Sequence, residues 1–212
     1  MDNKILNVLN FYVLATSLKD KIRSGWLKWN ISKERLESVA EHIYGTCILA
    51  IAIDSEFDEK IDLNKVLKML VLHELEEVII GDFTPFDKIS DEEKLRIGAE
   101  AVSKILDGLV KKEEYENLLN EFNSHKTNEA IYAFCCDKLE ADLQAKIYSQ
   151  EGYTNIYDER NKILLNDDRI KKLITNGSKN LADLFIDYDI SKLSIDTFKQ
   201  IALYIKDNDF IK

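Results

Sequence analysis

One proline and seven glycines in 212 residues are too few for the many turns of a sheet protein, so the chain favours long helices. Cysteine is scarce too. Cys47, Cys135 and Cys136 form no CxxC pair and no even set, so neither a disulfide framework nor a thiolate metal site is expected. Cys47 and Cys135 fall in apolar helical stretches and read as buried thiols of a protein in the reducing cytoplasm. Long apolar runs are lacking as well. The N-terminal MDNKILNVLNFYVLATSLKDKI is interrupted by polar residues and has no small-residue cleavage site, so it reads as an amphipathic helix, neither signal peptide nor membrane span. Basic residues are in deficit, 29 Lys+Arg against 39 Asp+Glu, for a formal net charge of -10. Such a surface repels DNA, RNA and anionic lipid, because polyanion binding depends on Lys and Arg displacing counterions. Polymeric nucleic acid and membranes are thereby excluded as partners, while a local basic pocket for one small anion is not.

What is present is helical periodicity in a chain whose hydrophobic fraction of 45% suits a globular core. A first helix is expected over about residues 3 to 20, with Ile5, Leu9, Val13 and Leu14 on one stripe. The segment RSGWLKWNISKERLE has no sustained period and reads as a connection whose two tryptophans pack onto the core. Helices follow from about Glu37 to Asp54 and from Leu63 to Ile80, the second stopped by Gly81 with Pro85 beyond. Ser90 with Glu93 makes a capping box for a helix running to about Val110. A shorter one spans about Glu113 to Phe122, and Thr127 caps a long one reaching about Gln150. Weaker helical patterns lie near 159–174, 178–187 and 194–206. The expectation is an all-α protein, with a helical core over residues 1–150 and a C-terminal helical extension over 151–212 packed on the same domain.

Several polar residues occupy positions where the helical period places the core. His42 shares a face with Val39, Thr46, Leu49 and Ile53, and His73 with Val66, Met69, Leu70 and Ile80. Glu74 projects among Leu67, Val71 and Val78, Glu77 lies one turn beyond His73, and Asp137 falls with Ala130, Phe134 and Ala141. Taken singly, each has a bland reading. A lone buried histidine is usually a hydrogen-bonded core residue. Glu74 could pair with Lys68 or Arg96, and Asp137 with Lys138 or Arg23. Together, two of only three histidines and three buried acids form an N/O donor set suited to a divalent metal. His125, in the polar SHKTN turn, reads as surface.

RSGW at Arg23–Trp26, ESVAEH at Glu37–His42, HELEEVIIGDFTP at His73–Pro85 and CDKLEADLQA around Asp137 resemble the HD-domain 5'-deoxynucleotidases over about residues 20 to 150. The resemblance implies an all-helical core that binds one divalent ion (Mn, Co, Fe, Ni, Zn or Mg) and removes phosphate from deoxyribonucleoside 5'-monophosphates. It implies His42, His73, Glu74 and Asp137 as ligands, Glu77 and Asp82 as acid/base or water-orienting residues, and Arg23 as a phosphate contact. Trp26 would wall the pocket or serve the core, and a homodimer is implied. One departure stands out: the family's His-Asp is here His73-Glu74, one methylene longer. Alternatives at this stage are an HD phosphodiesterase, a degenerate HD domain that binds nucleotide without turnover, and a purely structural helical module.

Overall fold

The computed structural model describes residues 2–210. Among these residues the only pairing of extended backbone is one antiparallel bridge, Ile22 with Ser38, and the architecture is all-α. Helix α1 (Asp2–Thr16) runs into a 3-10 turn over Ser17–Asp20, followed by the short α2 (Ser24–Lys28). Then come α3 (Val39–Glu56), α4 (Leu63–Leu72), the one-turn α5 (Glu77–Ile80), α6 (Asp91–Ile105) and α7 (Lys112–Ser124). The long α8 (Asn128–Gln150) is the axis, and α3, α4, α7, α11 (Leu181–Asp189) and α12 (Asp196–Asp207) pack against it. Between α8 and α11 lie α9 (Lys162–Leu165) and α10 (Asp168–Thr175).

Capping residues explain where the site-bearing helices start. Ser38 Oγ accepts a hydrogen bond from the Glu41 backbone N–H, and the Glu41 carboxylate accepts one from the Ser38 backbone N–H, a complete capping box at the head of α3. Thr127 caps α8 through Ala130 N–H, and Ser90 caps α6 through Glu93 N–H. Apolar residues on nearly all sides of α8 follow from its central place. Tyr132, Ala133, Cys136 and Leu139 meet α3, α4, α11 and α12 in one core, while Ala145 and Tyr148 join Trp26, Trp29 and Leu184 in a second. A third core lies among Leu75, Val102, Ile105, Leu106 and Leu119.

Two expectations are corrected. The helix drawn from Leu63 to Ile80 ends at Leu72, and His73–Glu76 forms turns before α5. Backbone bonds there run from Leu75 N to Leu72 O, Glu77 N to Glu74 O and Val78 N to Leu75 O, the tighter i to i+3 pattern that brings residues three apart onto one face. The stripe Ile5, Leu9, Val13 and Leu14 on α1 is exposed, each residue at 41% or more, because α1 meets the third core through Phe11 and Ala15 instead.

Ser38→Ala and Thr127→Ala should each lower stability by about 1 kcal/mol, the usual worth of an N-cap. Urea unfolding measures it. Unchanged midpoints in both would mean that these caps do not set where α3 and α8 begin.

Candidate metal centre

Four elements converge on one point. His42 enters from the first turn of α3, His73 from the end of α4, Glu74 from the turn behind it, and Asp137 from the middle of α8. His42 Nε2 lies 3.1 Å from Asp137 Oδ1 and 3.6 Å from Glu74 Oε1. His73 Nε2 lies 3.6 Å from Glu74 Oε1 and 3.8 Å from Asp137 Oδ1. One donor atom from each of the four falls within 4.8 Å of the other three, a spacing that a single cation can bridge. His73 and Glu74, adjacent just after α4, both reach the cluster, and the bond from Glu77 N to Glu74 O sets Glu77 in register with Glu74.

Histidine tautomers fit a cation. His73 Nδ1–H donates to Leu70 O at 2.7 Å, which turns Nε2 into the cluster. That Nε2 is buried and has no hydrogen-bond partner among the described residues. On His42 the Nδ1–H donates to the Glu140 carboxylate, and Nε2 faces Asp137. Gly45, one turn along α3, leaves the space that Glu140 fills, because a Cβ there would meet the Glu140 side chain. Two histidine nitrogens and two carboxylates are donors that divalent Mn, Fe, Co, Ni and Zn accept.

Electrostatics around the cluster are dominated by buried acid. Burial raises Glu74, but His73 and Arg23 outweigh it and hold the carboxyl at about 2. Arg23 Nη1 donates to Glu74 Oε1 at 2.9 Å and lies 4.0 Å from Asp82 Oδ1. Neither Lys68 nor Arg96 is the partner of Glu74; Arg96 pairs with Glu93 and Glu100 on the surface. Burial and Arg23 pull His42 down, yet Glu140 and the bonds to Asp137 and Glu140 prevail and lift it to about 10. Glu77 is pushed up to about 11, first by burial and then by Glu74 and Asp82, and its Oε2 is a further buried atom without a partner among the described residues. Asp82 emerges after Gly81, whose φ of 82° suits glycine, and its Oδ2 accepts the Ser24 N–H at 2.6 Å.

The cluster opens into a cleft of about 1080 Å³ whose walls draw residues from all three cores. Arg23, His73, Glu74, Glu77, Asp82 and Asp137 line it, while His42 is fully buried behind them. Trp26 contributes to the floor at 2% exposure, its Nε1–H donating to Glu37 and its ring stacked on Phe185. His125 is exposed as expected, at the cleft rim beside Phe134. Sequence reasoning missed Glu140, although it lies three residues after Asp137 on the buried face of α8. It treated Lys138 only as a counter-charge, although Lys138 also lines the cleft. It left without a role the extension, whose Phe185, Tyr188 and Lys192 form one wall.

A helical fold with a buried N/O donor cluster at the foot of a cleft fits a metal-binding class of protein. The HD domain profile matches residues 15–175, and the chain belongs to the HD-domain family. The 5'-deoxynucleotidase HDDC2 of Dictyostelium discoideum is 37% identical over 155 residues, 69% of this chain and 80% of that protein. Human 5'-deoxynucleotidase HDDC2 is 33% identical over 145 residues, 67% of this chain and 68% of that protein. Among solved structures, one described as a predicted metal-dependent phosphohydrolase from Magnetospirillum magnetotacticum shares the fold with a TM-score of 0.69 at 20% identity, covering 97% of this chain and 94% of that one. The chain is an HD-family phosphohydrolase.

The proton held on His42 gives a test of the centre. A cation can take Nε2 only by displacing that proton, so uptake should release about one proton per ion near pH 7. Affinity should rise with pH until the imidazolium is gone, near the value of about 10. Calorimetry in buffers of different ionisation enthalpy counts the protons; uptake without release in the wild type together with unchanged affinity in His42→Ala would remove His42 Nε2 from the donor set.

Proposed function

We propose that this protein hydrolyses deoxyribonucleoside 5'-monophosphates to the nucleoside and phosphate, with His42, His73, Glu74 and Asp137 holding one divalent cation. The observation that carries the reading is convergence: the four donors, one arginine and two further acids meet at the end of one cleft. The relatives named 5'-deoxynucleotidase support the substrate class. When bound, the cation supplies a Lewis acid for the phosphoryl group and makes water acidic enough to ionise near neutrality.

The chain's own groups do the rest. Arg23 can swing one guanidinium face from Glu74 to the phosphate and hold it by two parallel N–H donors. Asp82, fixed by the Ser24 N–H and beside Arg23, orients the attacking water and accepts its proton. Glu77 carries a proton at neutral pH and donates it to the leaving 5'-oxygen as the P–O bond breaks. Trp26 holds the floor under these groups through Glu37 and Phe185.

A homodimer and a cytoplasmic setting belong to the same proposal. The exposed apolar residues of α1 and the buried thiols of Cys135 and Cys136 support them. Among the described residues no helix is long and apolar enough to cross a membrane.

Phosphate release should appear with deoxynucleoside 5'-monophosphates plus Mn or Co, and neither with duplex nucleic acid nor with cyclic dinucleotides. Glu77→Gln should lower turnover by about 10²-fold or more while bound metal persists. Cleavage of cyclic dinucleotides without monophosphatase activity would replace this reading by a phosphodiesterase. Normal turnover in Glu77→Gln would take that residue out of the chemistry.

A further inference from the structure

The two carboxylates of the donor cluster are flanked symmetrically. Arg23 Nη1 stands 2.9 Å from Glu74, and Lys138 Nζ stands 2.9 Å from Asp137. The atoms of Asp137 divide the work, with Oδ1 facing the two histidines and Oδ2 facing the lysine. Lys138 lines the cleft, as Arg23 does, and its side chain is partly exposed at 29%. Its Nζ stands 5.2 Å from the centre of the Phe134 ring, which steadies the head group beside the cluster.

We propose that Lys138 is a second phosphate contact, bracketing the phosphoryl group opposite Arg23. It rests on the phosphohydrolase reading and deepens it. A phosphomonoester dianion entering this cleft meets Glu74, Glu77, Asp82, Asp137 and Asp189, so it needs cations near the cluster. Of the other cations lining the cleft, Lys192 pairs with Asp189 at 2.5 Å and Arg169 with Asp167 at 2.6 Å, while Lys94, on α6, pairs with neither carboxylate of the donor cluster. Lys138 has three N–H donors, and one suffices for Asp137. With a cation held by the donor set, the Asp137 carboxylate would demand less of the ammonium, and the remaining N–H donors of Lys138 would be available to the phosphate. Lysine here acts as a point charge that can follow oxygens whose charge grows during in-line displacement, complementing the fixed fork of Arg23.

The test compares wild type, Lys138→Met and Lys138→Arg in three measurements. These are bound manganese by emission spectroscopy, the Kd of inorganic phosphate for the loaded protein by calorimetry, and kcat and KM on a deoxynucleoside monophosphate. Lys138→Met should keep its manganese and bind phosphate about tenfold more weakly, the worth of one charged hydrogen bond. Its kcat/KM should fall further than its phosphate affinity, and Lys138→Arg should restore most of both. Unchanged phosphate affinity in Lys138→Met overturns the proposal, as does loss of manganese with phosphate affinity falling only in step, which would make Lys138 a prop for Asp137. A wild type that binds phosphate with Lys138 yet releases none from monophosphates would sink the hydrolase reading and leave this contact standing.

Discussion

Glu74 and Asp137 place two carboxylates side by side in a largely buried cluster, and the arrangement around them follows from that concentration of charge. Burying an uncompensated carboxylate costs several kcal/mol, and two adjacent ones repel each other as well. The fold answers with Arg23 against one, Lys138 against the other, and two histidine rings between them. Compensation is incomplete within the chain. His73 Nε2 is buried in the cluster with no hydrogen-bond partner among the described residues, and His42 is driven to hold a proton well above its ordinary range. A divalent cation satisfies both at once, which is the physical reason that the donor set fits a metal better than it fits a structural ion-pair network.

The same crowding sets the chemistry at the cleft. Glu77 lies close enough to Glu74 and Asp82, and deep enough, to remain protonated where an ordinary carboxylate would not. Arg23 is tied to Glu74 and close to Asp82, which holds its guanidinium at the edge of the cluster. The glutamate that stands where the family has aspartate reaches the point where His42, His73 and Asp137 meet, its Oε1 facing both histidines and Arg23.

Much of this was legible in the sequence. The scarcity of proline and glycine, the caps at Ser90 and Thr127 and the all-round apolar character of α8 led directly to an all-α fold. Polar residues at core positions singled out His42, His73, Glu74 and Asp137, which the fold does bring together. The break at His73 was not legible, since no glycine or proline marks it and a 3.6 period continues through Val78; only the i to i+3 bonds reveal it. Glu140 and Lys138 were under-read for a related reason. Periodicity says which face a side chain occupies on its own helix, while their roles depend on what α3 and the cleft place opposite. The α1 stripe misled in the other direction, because an apolar face specifies burial without saying that a partner element exists within the chain.

The central claim is that one divalent ion sits among His42, His73, Glu74 and Asp137. It is tested most directly by the anomalous difference density of a manganese-loaded crystal. The account predicts a single peak within roughly 2.0–2.3 Å of both histidine Nε2 atoms and of an oxygen from each acid, the bond lengths usual for such donors. A peak elsewhere, or a loaded protein in which no Glu74 oxygen lies within bonding distance of the ion, would contradict it.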